Sequence, residues 1–139
     1  MKNYQRLIYQ ANAAPSGVAK LFLIFNTWQT IFTLNTLDAA TAGIRIMEVI
    51  MINILLSFLV FIAAFEIKRY NLRWSRAALV IGIIQCLRCF FIPDGPFFAR
   101  INILVPLEAA GFFLILASVW SISKCRKYRQ AQRELPCLT

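Results

Sequence analysis

The sequence predicts an all-α, polytopic membrane protein, a single domain over residues 1–139 in which four helices run up and down through a bilayer as a bundle. Hydrophobic residues make up 60% of the chain and the mean hydropathy is +0.65, whereas apolar residues account for roughly 45–50% of a soluble domain. The apolar residues are concentrated in long stretches, and most of the fifteen lysines and arginines flank these stretches on one predicted side. Together, these observations favour a membrane protein over a soluble one.

The first predicted span, residues 18–37, is the most polar of the four. Six amide or hydroxyl side chains interrupt it: Asn26, Thr27, Gln29, Thr30, Thr33 and Asn35. Because each polar group inside lipid needs a bonding partner, this helix should pack against others. The alternative is a helix that lies in the membrane interface or leans on another subunit. Residues 1–16 before it predict a short interfacial helix that ends at a break over Pro15, Ser16 and Gly17.

The second and fourth spans, residues 44–65 and 101–122, are long and apolar. Each is longer than the roughly 20 residues that cross about 30 Å of hydrocarbon. The third span, residues 75–93, is slightly short and carries Arg88. Its small and polar residues recur at spacings of three and four, which predicts one packing face on the helix. That face consists of Ser75, Ala78, Gly82, Gln85 and Cys89.

Short connections at residues 38–43 and 94–96 predict antiparallel neighbours. Basic residues in short segments resist translocation, so their distribution predicts the orientation of the spans. Twelve of them lie before span one, between spans two and three, and after span four: Lys2, Arg6, Lys20, Lys68, Arg69, Arg73, Arg76, Lys124, Arg126, Lys127, Arg129 and Arg133. Both termini are therefore expected in the cytoplasm, with residues 123–139 as a basic tail, in a chain integral to a bacterial plasma membrane.

The formal net charge of +9 could suggest a nucleic-acid partner, since basic segments bind phosphate without sequence preference. Here the charge is dispersed over three segments next to the predicted spans, and no nucleic-acid-binding motif accompanies it. Contact with the anionic headgroups of the lipid bilayer explains the same charge with fewer assumptions. We therefore expect the bilayer, and no nucleic acid, as the partner of these basic residues.

Three ionisable residues fall within the predicted spans: Glu48, Arg88 and Glu108. A charge at the bilayer centre costs on the order of 2.5–3.5 kcal/mol on insertion scales unless it is paired or hydrated. With a rise of 1.5 Å per residue, all three come to lie at a similar depth, so an arginine between two carboxylates would offset the cost that each faces alone. We expect a buried cluster of these residues, with hydrogen bonds from Gln85, Asn53 and Asn102.

Two interpretations of this cluster stay open. It could fix the register of the helices, as polar side chains do in other membrane bundles. It could instead bind a polar or anionic ligand, or conduct protons, from the outer side. Pro106 leaves a helical carbonyl without its donor close to Glu108, which predicts a kink there and favours a cavity beside the acid.

Cys86 and Cys89 form a C-x-x-C on the outer half of the third span. This resembles the four-helix membrane thiol oxidoreductases of the disulfide-bond-forming, quinone-reducing type, which implies thiol exchange at this pair with an oxidising compartment. Those enzymes generally use a second cysteine pair, often in an outer loop. Here Cys125 and Cys137 fall on the predicted cytoplasmic side, so the relay is incomplete. The same two cysteines also suit helix packing as small apolar side chains.

The chain contains no histidine and no nucleotide-binding or hydrolase motif, so no metal site and no cofactor are expected. The polar first span favours a non-catalytic subunit or self-associating bundle in a membrane complex, because asparagine, glutamine and threonine side chains exposed to lipid need a partner surface. The expected partner is another membrane protein or a homo-oligomer. A first alternative is a small oligomeric transporter or channel that uses the charged cluster from the outer side. A second alternative is a membrane thiol oxidoreductase.

Overall fold

The computed structural model describes residues 12–36, 42–91 and 97–134. Over these residues the chain forms four α-helices: α1 (Ala13–Thr36), α2 (Ala42–Lys68), α3 (Leu72–Leu87) and α4 (Phe97–Glu134). A short 3-10 helix, Arg88–Phe91, follows directly on α3. The predicted all-helical fold with four helices is confirmed.

Neighbouring helices pack antiparallel. At one end of the α1–α2 pair the Ser16 hydroxyl donates to the Ala64 carbonyl at 2.6 Å, and farther along α1 the Asn26 amide donates to the Ser57 hydroxyl at 2.9 Å. Residue numbers thus rise along α1 while those of its partners fall along α2. On the other side of the bundle, Ser75 of α3 bonds Ser121 of α4 at 2.8 Å, whereas Gly82 lies opposite Gly111.

The interior of the bundle is built mainly from small side chains. Its buried apolar cluster draws on all four helices and consists of Ala19, Phe22, Val60, Ala63, Ala64, Ile67, Ala78, Ala110, Leu114 and Ala117. Alanine lets helix axes come close, so each pair gains many weak contacts without large side chains. Larger apolar side chains point outward instead, among them Phe58, Phe61, Phe65 and Phe112.

The predicted break at residues 15–17 is wrong. Helix α1 begins at Ala13 and continues through Pro15, Ser16 and Gly17 without interruption. Proline is tolerated in the first turn, because the backbone N–H that it lacks would have no helical acceptor there. Pro15 is also buried, and Ser16 is tied to α2, so this turn is part of the bundle.

The turn between α2 and α3 is tight. Tyr70 adopts the left-handed conformation, with φ at 59°, and Asn71 caps α3 by accepting a hydrogen bond from the Arg73 backbone N–H at 3.2 Å. The Asn71 amide also donates to the Glu66 carboxylate at 2.9 Å. A connection this short forces α2 and α3 to be antiparallel.

Two of the helices have segments long and apolar enough to cross a membrane, over Ile50–Lys68 and Ile101–Gln130 in the described part of the chain. They correspond to the second and fourth predicted spans. The predicted packing face of the third span is also confirmed where its side chains are described, since Ser75, Ala78, Gly82 and Gln85 are the buried residues of α3.

Candidate functional site

Five polar side chains meet between α1, α2 and α3 and are called the amide cluster here. Asn26 and Gln29 come from α1, Asn53 from α2, Gln85 from α3, and Arg88 from the 3-10 helix. The four amides are buried, and Arg88 is partly buried. Asn26 and Gln29 are separated by three residues, so both lie on the face of α1 that is turned toward α2 and α3.

Arg88 lies at the centre of the hydrogen bonding. One guanidinium nitrogen donates to the Asn53 side-chain oxygen at 2.9 Å and to the Gln85 side-chain oxygen at 3.0 Å. The Gln85 amide nitrogen in turn donates to the Asn26 side-chain oxygen at 3.1 Å. The Arg88 cation thereby orients Asn53 on α2 and Gln85 on α3, and Gln85 in turn orients Asn26 on α1.

The remaining amide groups complete the network. The Asn26 nitrogen donates to the Asn53 backbone carbonyl at 3.2 Å and to Ser57 at 2.9 Å. The Asn53 nitrogen donates to the Gln29 oxygen at 3.4 Å, and the Gln29 nitrogen donates to Thr33 at 3.0 Å. Every buried polar atom of the cluster therefore has a partner, and this arrangement stabilises the contact of three helices.

The chemistry that the cluster offers is limited by its composition. Carboxamides do not titrate near neutral pH, and an arginine stays protonated in proteins. Within the described residues, the cluster contains no group that could exchange a proton and no activated nucleophile. What it does offer is a fixed positive charge held by neutral dipoles.

The structure brings together three of the six residues predicted for the charged cluster, namely Arg88, Gln85 and Asn53. It places Glu108 and Asn102 on the exposed surface of α4 instead. The side chain of Glu48 lies outside the described residues. An ion pair joins Arg69 to Glu66 at 3.4 Å, at the α2–α3 turn.

Helix periodicity explains the outward position of Glu108. The inward face of α4 is set by residues at spacings of three and four, at Ile103, Leu107, Ala110 and Leu114. Glu108 follows Leu107 directly and is therefore rotated by about 100° away from that face. Its neighbours one turn away, Val105 and Phe112, are apolar and exposed.

Asn26 and Gln29 are the cluster members that were not predicted as site residues. The sequence did indicate that both amides need hydrogen-bond partners, because they lie inside a predicted span. What the sequence lacked was the identity of those partners. The hydroxyls of the same helix need none from elsewhere, since Thr27 and Thr30 donate to the backbone carbonyls of Leu23 and Asn26, four residues earlier.

The predicted redox pair lies at the contact between α3 and α4. Cys86 is half-buried, and a Cβ added to Gly111 would overlap its sulfur. A Cβ added to Gly82 would come within 2.8 Å of the Ile115 side chain and 3.2 Å of the Gly111 carbonyl. These two glycines, with Cys86 and Ile115, form the glycine seam. The side chain of Cys89 lies outside the described residues.

A second set of polar side chains lies where α3 begins and α4 approaches its end. Ser75 contacts Ser121 and the Asn71 carbonyl, and Ser121 is 4.0 Å from the buried Cys125 sulfur. Beside it, the rings of Tyr70 and Tyr128 stack with their centroids 5.0 Å apart. Burial raises the pKa of the Tyr70 phenol, and the neighbouring Cys125 and Tyr128 raise this pKa further.

This end of the bundle also collects the basic residues. It contains the start of α1, the α2–α3 turn and the last part of α4, joined by the Asn12–Ile67 and Tyr70–Tyr128 contacts. Six basic side chains in this region are exposed, five arginines and one lysine: Arg69, Arg73, Arg76, Arg126, Arg129 and Lys127. The amide cluster lies toward the other end.

No known protein family, no curated protein and no solved structure matches this chain. Within residues 12–36, 42–91 and 97–134, no group of three or more cysteine, aspartate or glutamate side chains is arranged to hold a metal ion.

Proposed function

We propose that this chain is an integral membrane protein whose four helices cross the bilayer with both termini in the cytoplasm. In this proposal it acts as a non-catalytic subunit that associates with copies of itself or with a larger membrane complex. The outward face of α4 around Glu108 is the contact surface.

The outward-facing apolar residues support a membrane location. Only 28% of the apolar segment of α2 and 44% of that of α4 is buried within the fold. The core helix of a soluble protein would be mostly buried, whereas a helix in lipid gains from an apolar exterior. Helices α1 and α3 are more polar, but the amides of Asn26 and Gln85 bond each other inside the bundle, so these two do not face lipid unpaired.

The grouping of basic side chains supports the orientation. The cationic end contains the α2–α3 turn and the end of α4, and cationic segments are retained in the cytoplasm. With this end inside, the two termini are cytoplasmic.

The observation that carries the proposed association is the exposed position of Glu108. It lies between Val105 and Phe112, whose side chains are 59% and 60% exposed. A carboxylate on an apolar face in lipid costs on the order of 2.5–3.5 kcal/mol, unless a partner supplies a donor or a cation. A second protein surface at this face removes that cost, so the acid favours association.

The test compares Glu108→Leu and Glu108→Gln with Asn102→Leu. Each variant is purified in a mild detergent, and its mass is measured together with that of any co-purifying protein. Asn102 is also exposed on α4 but lies about 120° around the helix from Glu108. We expect Glu108→Leu to lose the partner or oligomer and to keep its thermal unfolding temperature, while Asn102→Leu keeps both. A fully assembled Glu108→Leu protein would contradict the proposed contact surface.

The orientation has its own test. A thiol reagent that does not cross membranes should label Gly95→Cys from outside intact cells, and should reach the native Cys137 only after permeabilisation. Labelling of the tail alone in intact cells would reverse the topology.

A second candidate is a small oligomeric transporter or channel, and one observation favours it. The Arg88 guanidinium is partly buried and donates to the neutral side-chain oxygens of Asn53 and Gln85, so a cation lies between the helices where it could attract an anion. If this candidate is correct, reconstituted vesicles conduct chloride, and Arg88→Gln abolishes the flux without changing assembly. Absence of flux from the assembled wild-type protein excludes it.

A further inference from the structure

The last part of α4 carries a groove on its outward side. The groove is shallow and open, has a volume of about 380 Å³ and is lined by six side chains: Val119, Ile122, Ser123, Arg126, Lys127 and Gln130. Their spacings of three and one place them along a single stripe of the helix. The stripe changes character along its length, from apolar at Val119 and Ile122 to cationic at Arg126 and Lys127.

The level of this change is set by contacts to the rest of the bundle. Ser121 bonds Ser75 in the first turn of α3, and Tyr128 stacks on Tyr70 in the α2–α3 turn. Arg126 and Lys127 therefore lie level with the end of the bundle, while Val119 lies about 10 Å farther into it. In the proposed topology, this end is at the cytoplasmic headgroup layer.

Aromatic and electrostatic features mark the same level. The Lys124 ammonium lies 4.9 Å from the centre of the Trp120 ring, a cation–π pair that is suited to the boundary between lipid and water. The groove itself contains two cations and no acid among its six lining residues. Glu66, on the other side of the α2–α3 turn, is bonded to Arg69 and Asn71.

We propose that this groove binds one anionic phospholipid of the cytoplasmic leaflet. Arg126 and Lys127 bind the phosphate, Ser123 and Gln130 bond the headgroup, and an acyl chain lies along Val119 and Ile122. The inference rests on the proposed membrane location and adds to it a lipid class and a site. A zwitterionic lipid gains less here, because its headgroup carries its own cation.

The test uses the full-length protein in mild detergent and titrates it with phosphatidylglycerol or phosphatidylcholine, with bound lipid counted by native mass spectrometry. We expect one phosphatidylglycerol bound with clear preference over phosphatidylcholine. Each cation near a lipid surface contributes roughly fivefold in affinity. The Arg126→Gln/Lys127→Gln variant should therefore bind phosphatidylglycerol about 25-fold more weakly.

The matched control is Arg73→Gln/Arg76→Gln, which removes two exposed charges at the same end of the bundle but outside the groove. We expect its affinity for phosphatidylglycerol to stay within about twofold of wild type. Equal losses of phosphatidylglycerol affinity in both variants would show that the lipid is attracted to the positive charge of this end as a whole, and would contradict a specific site in the groove. The residues exchanged are exposed, so the thermal unfolding temperature should be unchanged in both.

Further measurements distinguish a lipid site from a free-phosphate site and from a protein interface. Ile122→Ser should weaken binding of long-chain phosphatidylglycerol, whereas competition by millimolar inorganic phosphate alone would show a free-phosphate site and overturn the lipid assignment. If the groove variant loses a co-purifying protein while its lipid binding is unchanged, the groove is a protein interface and the inference fails. Release of the chain from membranes by alkaline carbonate would instead refute the proposed membrane location, independently of lipid preference.

Discussion

The amide cluster and the glycine seam hold the two sides of α3 by different means. On one side, Gln85 and Arg88 connect α3 to α1 and α2 through hydrogen bonds between side chains. On the other side, Gly82 and Gly111 let the backbones of α3 and α4 approach until a single Cβ would not fit. A bundle with few large buried side chains can therefore be fixed either by directional hydrogen bonds or by close backbone contact.

The two contacts should respond differently to substitution. A hydrogen-bonded contact loses its energy when one partner is removed, because the other is left buried and unpaired. A close backbone contact loses little when atoms are removed and much when they are added. Variants that add volume at the seam, or remove donors at the cluster, therefore separate the two mechanisms.

The largest expected effect is that of Gly111→Val. Its side chain would overlap the Cys86 sulfur and press on the Gly82 carbonyl, 3.1 Å from an added Cβ, so α3 and α4 must separate. We expect a loss of about 3 kcal/mol in the free energy of unfolding. Denaturant titration in detergent, followed by circular dichroism, measures it.

Gly17→Val is the matched control, since an added Cβ meets nothing within 4 Å at Gly17. Its unfolding free energy should change by no more than about 0.5 kcal/mol. Equal destabilisation by both variants would mean that the seam is not closely packed.

The next largest effect is expected for Gln85→Leu. The substitution keeps most of the side-chain volume but leaves the Asn26 oxygen without its donor and takes one acceptor from Arg88. We expect destabilisation of about 2 kcal/mol by the same titration. Asn102→Leu, which removes an exposed amide from α4, should leave the free energy of unfolding almost unchanged. A loss comparable to that of Gln85→Leu would show that the amide cluster is no more important for stability than an exposed amide.

A double variant measures how strongly Asn26 and Gln85 are coupled within the amide cluster. If Asn26 and Gln85 stabilise the fold through their shared hydrogen bond, Asn26→Leu/Gln85→Leu should be less destabilised than the sum of the single variants. The expected coupling is about 1 kcal/mol. Strict additivity would show that each amide acts through other partners, such as Ser57 for Asn26.

The smallest effect is expected for Ser121→Ala, at the other polar contact between α3 and α4. Ser75 keeps its bond to the Asn71 carbonyl at 3.1 Å when the Ser121 hydroxyl is lost. We expect a loss of no more than about 1 kcal/mol. A loss as large as that of Gln85→Leu would make this pair a second directional contact and weaken the contrast between the two sides of α3.

Much of the fold could be predicted from local patterns. The four helical segments follow from long apolar stretches bounded by short polar connections, and the buried face of α3 followed from its small residues at Ser75, Ala78, Gly82 and Gln85. The predicted break at Pro15 was wrong. Proline, serine and glycine in sequence suggest a turn, but the first turn of a helix accepts the proline and the serine, and the helix continues through the exposed Gly17.

The site was predictable only in part. Arg88 near Gln85 is a consequence of helical spacing within one segment, but the choice of Asn26 and Asn53 as partners depends on how separate helices face one another. Glu108 was expected inside on the ground that a charge in a span is unfavourable in lipid. Such a charge needs a partner, but that partner can belong to the same chain or to a neighbouring one.

The helical class, the number of helices and the clustering of cations follow from composition and from neighbours along the chain. How separate helices pack against one another sets the inward position of Asn26, the outward position of Glu108 and the contact of Gly82 with Gly111. Apolar residues occur all around these helices, so hydrophobicity does not mark the inner face. That face is chosen by which small and polar side chains fit together across helices, a property of pairs of segments that no single segment contains.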